Sequence, residues 1–378
     1  MTDNNENKVL NVPHLRFPEF SGEWKKVRLG DNCNIQMCKR IMAAQTNTDR
    51  GVPFFKIGTI GGKADAYISK ELFDEYKAKY PFPHKGEVMI TCAGTVGKCI
   101  IYNGKDSYYQ DSNIVWIDNP NEIISNDFLY HLLCKVNWSH LNSTTIVRIY
   151  NDDLRNLKLY IPQHDEQKKI THLLSLINER IATQNKIIED LKKLKSAIRK
   201  KVFVSLKEEH TESLEINQLL TYEQPTAYIV TNDEYSTDTT LIPVLTANKG
   251  FVLGYTDEDF SIYQKGECII FDDFTMDAKY VSFPFKVKSS AIKILTAKPN
   301  VNLRFMFEYL SYLELKSEEH KRHYISEIAS LVVELPSKEM QNKIASLMAS
   351  LDNKLALEEN TKVKYEDEKQ YQLSQMFI

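Results

Sequence analysis

The stretch that decides the fold is IPQHDEQKKITHLLSLINERIATQNKIIEDLKKLKSAIRKKVF, residues 161–203. Its apolar residues recur at intervals of three, four and seven, which is the a/d pattern of a helix that pairs with another helix. No glycine or proline interrupts the stretch after Pro162, so it predicts one helix of roughly 38 residues and about 57 Å. Gln184 is the one polar residue on this apolar seam. A helix of this length with one apolar stripe needs a partner.

The partner lies in the same chain. Residues 335–377, LPSKEMQNKIASLMASLDNKLALEENTKVKYEDEKQYQLSQMF, repeat the first stretch without a gap, at an offset of 174 residues (336 − 162 for the prolines). The match begins upstream, where residues 148–150 (RIY) correspond to residues 322–324 (RHY). A long helix that occurs twice, each time after a globular segment, is typical of a tandem duplication.

The apolar seams of the two copies are expected to pair. The residues expected to form the contact are Ile170, Leu174, Ile177, Ile181, Ile188, Leu191 and Ile198 in the first copy and Ile344, Met348, Leu351, Leu355 and Tyr365 in the second.

Composition places the chain among soluble globular proteins with room for two domains. It has 378 residues, of which 42% are hydrophobic and 26% charged. No apolar run approaches the ~20 residues of a membrane-spanning helix, and the first residues are too polar for a signal peptide. Six cysteines without a C-x-x-C motif indicate reduced, mostly packed thiols. We therefore expect a cytoplasmic protein.

The formal net charge is −3, which argues against a free-standing, nonspecific nucleic-acid binder. It does not exclude a subunit that reads DNA while its partners supply much of the phosphate contact. The charge is also uneven, because residues 161–203 contain ten Lys or Arg against five Asp or Glu.

Between the helices, short runs of β-branched residues alternate with glycine and proline, which favours strands and turns. Such runs begin at Val52 and fill Lys85–Tyr102 and Gln110–Asp118, and Leu154–Ile161 is expected to be the strand that leads into the long helix. Residues 126–136 (NDFLYHLLCKV) and 302–315 (NLRFMFEYLSYLEL) each predict a helix. Each globular segment is therefore expected to be an α+β domain, and the second repeats the first with altered loops.

Catalytic and metal motifs are weak. Residues 94–99 (GTVGKC) have only two residues between the glycines and Cys99 after the lysine, so a tight turn is favoured over a phosphate loop. No histidine or cysteine cluster has zinc spacing. The pairs Asp152-Asp153 and Asp272-Asp273 are expected to be solvated or capping carboxylates.

The loops contain donors and aromatic groups suited to base edges and phosphates. The candidates for DNA contact are Lys39, Arg40, Lys56, Thr59, Arg148 and Tyr150 in the first half and Lys249, Thr275, Lys279, His320, Arg322 and Tyr324 in the second.

Three motifs resemble those of a known family, the specificity (S) subunits of type I restriction–modification systems. They are residues 15–31 (LRFPEFSGEWKKVRLGD), the first long stretch, and residues 335–352 (LPSKEMQNKIASLMASLD). The resemblance covers nearly the whole chain. It implies an α+β fold with two tandem target-recognition domains, separated by two long conserved helices packed as an antiparallel coiled coil. The expected boundaries are 1–22 for an N-terminal arm, 23–160 and 214–334 for the two domains, 161–205 and 335–378 for the helices and 206–213 for a linker.

The resemblance also implies a function. Each domain would read one half of a bipartite site in double-stranded DNA, and the helices would act as a ruler of at most about 17 base pairs. The chain would be non-catalytic and would have no cofactor or metal of its own. Two methyltransferase (M) subunits would carry S-adenosylmethionine and methylate adenine, and two restriction (R) subunits would use ATP and Mg²⁺. No membrane contact is implied.

Two other functions remain open from the residues. One is a coiled-coil scaffold whose globular halves bind protein instead of DNA. The other is a nuclease that uses Asp272 and Asp273.

Overall fold

Both quoted stretches form single unbroken helices in the computed structural model of the chain. The first long helix spans His164–Leu206 (43 residues) and the second spans Lys338–Gln375 (38 residues). The structure describes residues 10–138, 148–206, 211–246, 250–315 and 327–378. Within these ranges no helix is both long enough and apolar enough to cross a membrane.

The chain divides into two compact units, and both long helices contribute to each of them. The first unit comprises Met1–Thr183 and Lys362–Ile378, and the second comprises Gln184–Thr361. Each unit therefore contains the beginning of one long helix and the end of the other. The domain limits predicted from the sequence stay a prediction.

The first unit contains three sheets. Its strands are β1 (Lys25–Arg28), β2 (Asn34–Gln36), β3 (Thr46–Asn47), β4 (Val52–Phe55), β5 (Ala66–Ile68), β6 (Val88–Thr91), β7 (Cys99–Ile101), β8 (Tyr108–Tyr109), β9 (Ile114–Asp118) and β10 (Lys158–Ile161). Its helices are α1 (Leu29–Asn32), α2 (Lys70–Lys79), α3 (Asn126–Lys135), α4 (Asn151–Asn156) and the beginning of α5, the first long helix. The strand orders are β1-β10, β2-β9-β6-β7 and β3-β5-β4-β8.

The second unit repeats this plan. Its strands are β11 (Glu212–Glu215), β12 (Leu220–Glu223), β13 (Ile242–Leu245), β14 (Val252–Thr256), β15 (Cys268–Asp272), β16 (Ala278–Val281), β17 (Lys286–Val287), β18 (Ile292–Ala297) and β19 (Val332–Leu335). Its helices are α6 (Ile216–Leu219), α7 (Leu303–Tyr312) and most of α8, the second long helix. The strand orders are β11-β19, β12-β18-β15-β16 and β14-β13-β17.

The duplication extends through the globular segments. The antiparallel sheet β2-β9-β6-β7 of the first unit has the same order as β12-β18-β15-β16 of the second, and a further sheet in each unit contains one parallel pair, β4 with β8 or β13 with β17. The central strands β6 and β15 are buried at every position, as their sequences VMIT and CIIFD require. The predicted α+β class with an internal duplication is confirmed.

One predicted strand was partly wrong. Leu154 ends up in the short helix α4, and the strand begins only at Lys158. The Asp153 carboxylate accepts a hydrogen bond from the Tyr150 amide at 2.7 Å, and Asp152 pairs with Arg155 at 3.1 Å. Local carboxylate contacts of this kind stabilise a first helical turn, and they prevail over the strand pattern of alternating apolar residues that follows.

In the first unit the core is completed by the end of the second long helix. The ring of Phe377 stacks on Phe128 of α3 with a centroid distance of 5.0 Å, and it contacts Trp24 at 6.4 Å. All three rings are at most 2% exposed. Ile170 and Leu174, from the beginning of α5, belong to the same cluster.

In the second unit the end of the first long helix has the same role. Phe203, which corresponds to Phe377 at the 174-residue offset, is fully buried against Phe305, Tyr309 and Tyr312, at centroid distances of 5.5, 5.0 and 5.3 Å. Met348, from the beginning of α8, joins this cluster. Each unit thus combines opposite ends of the two helices, so the helices run antiparallel.

The twelve residues expected to pair the helices all lie on inward or half-buried positions. Six are buried (Ile170, Leu174, Ile177, Ile188, Ile344 and Met348), and six are half-buried (Ile181, Leu191, Ile198, Leu351, Leu355 and Tyr365). Gln184, the polar residue on the seam, is 6% exposed and donates to the Glu358 carbonyl at 3.1 Å and to its carboxylate. These two residues lie 174 positions apart, so Gln184 contacts its own equivalent in the repeat.

A buried glutamine in the first turn of each long helix fixes the neighbouring short helix. Gln167 Oε1 accepts the amide of Ser125, the N-cap of α3, at 2.8 Å. Gln341 Oε1 accepts the amide of Asn302, the N-cap of α7, at 2.8 Å. Each glutamine is 1% exposed and donates to the carbonyl of a proline five residues earlier. These contacts explain why this residue is identical in both copies.

Replacing Gln167 with leucine should lower the free energy of unfolding by about 1–3 kcal/mol, because the Ser125 amide would lose its buried acceptor. The measurement is chemical denaturation of the purified chain. Gln163→Leu, at an exposed position four residues earlier, is the control and should have little effect. Equal losses for the two variants would contradict this interpretation.

His131 on α3 is a buried titratable group in the first unit. It is 6% exposed and its ring contacts Phe377 and Tyr130. Burial, with a smaller contribution from the charge of Lys369, lowers the pKa of His131 from 6.5 to about 4. The unfolded chain therefore takes up this proton first, and stability is lost as the pH falls from 6.5 towards 4.

Between pH 7.5 and pH 5.5 this histidine should account for about 1 kcal/mol of lost unfolding free energy. We expect His131→Gln to lose less stability than the unchanged chain over that interval, as measured by denaturation at both pH values. His172→Gln, an exposed histidine of the first long helix, should retain the full loss. A pH dependence unaltered by His131→Gln would exclude this assignment.

Candidate nucleic-acid interface

Several loops of the first unit converge on residues 110–113. The Gln110 amide donates to Phe55 at the end of β4 at 2.9 Å. Cys92, just after β6, donates to the Asn113 carbonyl at 2.8 Å, and its own carbonyl accepts from Ile149 at 2.9 Å. Main-chain bonds therefore connect the loops after β4, β6 and β8 with the segment before α4.

Two of the predicted arginines meet at this loop. Arg40 Nε lies 2.7 Å from the Asp111 carboxylate, and Arg148 Nη2 donates to the carbonyl of Ser112 at 3.2 Å. Ser112 has a φ of +53°, so the loop reverses sharply between its two arginine partners. The Arg148 guanidinium also lies 5.9 Å from the ring of Tyr150, which is 58% exposed.

Lys56 and Thr59 form the adjoining turn. Thr59 Oγ1 accepts the Lys56 amide at 3.0 Å, and the Lys56 ammonium lies 3.0 Å from Asp65. Ile57, within this turn, donates to the Gln110 side chain at 3.4 Å. Five of the six predicted residues in this unit are thus connected to one group of loops, whereas Lys39 lies over Tyr80 at 5.2 Å.

Lys98, an exposed lysine in the same group of loops, is not among the residues predicted from the sequence. Its ammonium donates to the Ile60 carbonyl at 2.6 Å. Lys98 belongs to GTVGKC, which forms the predicted turn between the antiparallel strands β6 and β7. Gly97 in this turn has a φ of +82°, and a Cβ there would lie 2.2 Å from Trp138. The spacing of GTVGKC excludes a phosphate loop, and Lys98 is left out of the predicted DNA contacts with the rest of this motif. A single exposed lysine can nevertheless contact a phosphate.

The second unit builds its loops on equivalent main-chain bonds. The main-chain amide of Lys288 donates to the carbonyl of Leu245, at the end of β13, at 2.9 Å. The Gln110 amide makes the equivalent bond to the Phe55 carbonyl. The Asp273 amide donates to the Ala291 carbonyl at 3.2 Å, as Cys92 does to Asn113. The main-chain framework is shared, whereas the side chains on it differ.

Of the six residues predicted in this unit, the structure describes two. Thr275 is exposed on the turn after β15 and donates to Asp272 at 2.6 Å, and Lys279 pairs with Asp277 at 2.7 Å. Lys249, His320, Arg322 and Tyr324 lie outside the described residues.

The carboxylates Asp272 and Asp273 are buried, at 5% and 1% exposure. Asp272 caps its turn by accepting the amides of Phe274 and Thr275 at 2.9 and 3.2 Å. The expectation of solvated or capping groups was therefore right for Asp272 and wrong for Asp273, which lies 3.4 Å from the buried Lys293 ammonium. No group of three or more possible metal ligands occurs within the ranges that the structure describes.

The cations of these loops remain exposed within their ion pairs. The side chains of Arg40, Lys56 and Lys279 are each more than 40% exposed in their ion pairs. Surface pairs of this kind contribute only about 0–1 kcal/mol, so a phosphate can replace the carboxylate at little cost. The arrangement therefore orients the cations at the surface without sequestering them.

Comparison with known proteins identifies the family. The profile described as "Type I restriction modification DNA specificity domain" matches residues 21–193 and again residues 208–366. A putative type I restriction enzyme specificity subunit of Haemophilus influenzae is 45% identical over 167 residues, which are 44% of this chain and 41% of that protein. A type I restriction enzyme specificity subunit of Escherichia coli is 40% identical over 37% of this chain and 36% of its own length. The matched segment thus spans about two fifths of these relatives.

A more distant relative, a putative type I restriction enzyme specificity subunit of Methanocaldococcus jannaschii, is 24% identical over 96% of this chain and 94% of its own. The crystal structure of a type I restriction–modification S subunit from M. genitalium has a TM-score of 0.64 at 15% identity and covers 97% of this chain and 99% of that one. That likeness concerns the fold. Because the profile matches twice and covers most of the residues, the chain belongs to the family of type I restriction modification DNA specificity domains.

Proposed function

We propose that the chain is the DNA specificity subunit of a type I restriction–modification complex, with no catalysis of its own. Each globular region reads one half of a bipartite, asymmetric site in double-stranded DNA. Family membership and the two tandem copies of the domain support this proposal. The specificity subunits of H. influenzae and E. coli that are similar to part of the chain support it further.

The observation that carries the proposal is the contrast between framework and loops. Equivalent main-chain bonds hold the loops after β4 and β13 and after β6 and β15. The side chains on and beside these loops differ, with Arg40, Lys98 and Arg148 in the first unit and Thr275 and Lys279 in the second. Phosphate contacts position a reader and base-edge contacts specify its sequence, so unequal loops on equal frameworks suit unequal half-sites.

The long helices would set the spacer between the half-sites. An unbroken helix of 43 residues is about 64 Å long. This length is the physical basis of the proposed ruler.

The partners would be two methyltransferase (M) subunits and two restriction (R) subunits. We propose that the M subunits dock on exposed apolar side chains of the long helices, since Leu176, Ile187 and Leu357 are 44%, 39% and 58% exposed. They would bring S-adenosylmethionine for adenine methylation, and the R subunits would bring ATP and Mg²⁺. The six cysteines form no disulfide, which suits action in the reducing cytoplasm.

Replacing Arg148 with alanine should weaken specific DNA binding by about tenfold or more, as expected for the loss of one charged groove contact. The measurement is a titration of labelled target DNA with the chain bound to its M subunits. Arg28→Ala is the control, because Arg28 is an exposed arginine outside the loop group, paired with Asp31 at 2.9 Å. Equal effects of the two variants would contradict DNA reading by these loops and favour a protein-binding scaffold.

Inserting seven residues into each long helix, after Thr183 and after Thr361, should lengthen the recognised spacer by about three base pairs. Both helices must be extended because Gln184 is bonded to Glu358 across the pair. Sequencing of methylated adenines in cells that carry the complex measures the spacer and both half-sites. An unchanged spacer would exclude the ruler, and altered half-sites would contradict the separation of the two tasks.

A further inference from the structure

The two units use different side chains at the same structural position, the joint between a short helix and the end of a long helix. In the second unit the joint contains α7 and the end of α5, and in the first it contains α3 and the end of α8. The aromatic residue that fills the joint is a phenylalanine in both units, since Phe203 and Phe377 correspond to each other. Aromatic packing therefore cannot decide which helix end enters which unit.

The joint of the second unit contains a buried charge cluster. Glu308 of α7 is fully buried, and its Oε2 lies 2.9 Å from Arg199 Nε and 2.8 Å from Arg199 Nη2. Its Oε1 lies 3.2 Å from Lys195 Nζ and 3.3 Å from Arg304 Nη2, at ion-pair distance but outside hydrogen-bond geometry. Asp352 pairs with Lys195 and Arg304 as well. We call these five residues the Glu308 cluster.

The joint of the first unit lacks the central pair of this cluster. The offset between the units is 174 residues in the long helices and 177 residues in the short helices (303 − 126 for their first residues). Glu308 therefore corresponds to His131, and Arg199 corresponds to Leu373. Both replacements remove charge, because burial keeps the His131 imidazole neutral near pH 7.

This difference penalises the wrong helix end in either joint. The end of α8 would bring Leu373 to Glu308, and Oε2 of this buried carboxylate would lose both contacts with the Arg199 guanidinium, while Arg304 of α7 would remain beside Oε1. The end of α5 would bring Arg199 to the neutral His131, and the carboxylate next to it on α3, that of Asp127 one turn earlier, is exposed and not buried as Glu308 is. Removing one partner of a buried ion pair is strongly destabilising, even where the intact pair contributes little net stability.

The competitor in such a mispairing is a second copy of the chain. A continuous helix cannot turn back to the unit from which it starts, so only another copy can supply the wrong end. Gln184 contacts its own equivalent in the repeat, Glu358, so these two positions mark the centre of the helix pair. If two copies exchanged helix ends, each long helix would pair with the same helix of the other copy, and its central residue would face itself. Two second long helices would then bring two Glu358 carboxylates together.

We propose that the Glu308 cluster is a pairing determinant that prevents two copies of this chain from exchanging helix ends. It assigns the end of the first long helix to the second unit and rejects the end of the second long helix. Its contribution is to specificity, by destabilising the alternative, and it follows from the comparison of the two joints.

The test uses full-length chains that all carry Glu358→Gln, which removes the like-charge encounter. This single variant is the matched control. One equalised variant adds Arg199→Leu and Glu308→His, so that both joints resemble the first unit. A second equalised variant adds His131→Glu and Leu373→Arg, so that both resemble the second. A reversed variant carries all four substitutions, which exchanges the determinants between the joints.

Each variant is refolded from denaturant as a mixture of two differently tagged copies. The fraction of dimers with both tags is measured by tandem affinity capture and light scattering. We expect the equalised variants to form at least about tenfold more dimer than the control, corresponding to 1.4 kcal/mol or more of lost discrimination. The reversed variant should return to the control level, because each joint again accepts only one helix end.

Two results would overturn the proposal. One is an equalised variant that dimerises no more than the control. The other is a reversed variant that dimerises as much as the equalised ones, which would show that the substituted residues matter individually and not by matching. Failure of both equalised variants to fold would count against it equally, since the proposal requires either set of side chains to fit the shared framework.

Discussion

The structure depends on the burial of two equivalent phenylalanines, each at the end of a long helix and each inside a core built mainly from another part of the chain. Phe377 completes the aromatic cluster around Trp24 and Phe128, and Phe203 completes the cluster around Phe305 and Tyr309. A fully buried aromatic side chain is one of the largest single contributors to a core, so neither unit can reach its native packing without a distant helix end. The apolar seam alone would allow one long helix to shift along the other, whereas a phenylalanine buried in a core fixes the position of the helix along its axis.

Polar contacts also fix the position of the long helices relative to the short helices α3 and α7. Gln167 and Gln341 connect the beginning of each long helix to the N-cap of a short helix, so both ends of α3 and α7 are held by long helices. A buried amide group that is fully hydrogen-bonded rigidifies its surroundings, because any movement would break a hydrogen bond and leave a buried polar group unsatisfied, which costs free energy. The loops proposed to read DNA therefore project from frameworks with little freedom to shift.

The sequence predicted the long helices, the duplication and the helices at Asn126 and Asn302, because these signals are periodic and repeat at a constant offset. It could not predict that Glu308 is fully buried, since its charge is satisfied by Arg199, which lies 109 positions away in sequence. It also misassigned Leu154, where local capping prevailed over strand propensity. Among the loop residues, the arginines at 40 and 148 were identified by chemical type. Their meeting at Asp111 and Ser112 depends on loop closure, which no local pattern encodes.

The position of Phe377 also has a consequence for biosynthesis. Lys135, on helix α3 of the first core, donates through its ammonium to the carbonyl of Phe377. Phe377 lies 242 positions further along the chain. Ribosomes add roughly 5–20 residues per second, so the nascent first unit exposes its aromatic groove for many seconds before Phe377 emerges. Quality-control factors that bind exposed aromatic surface would thus encounter the amino-terminal half of the chain until translation has passed residue 377.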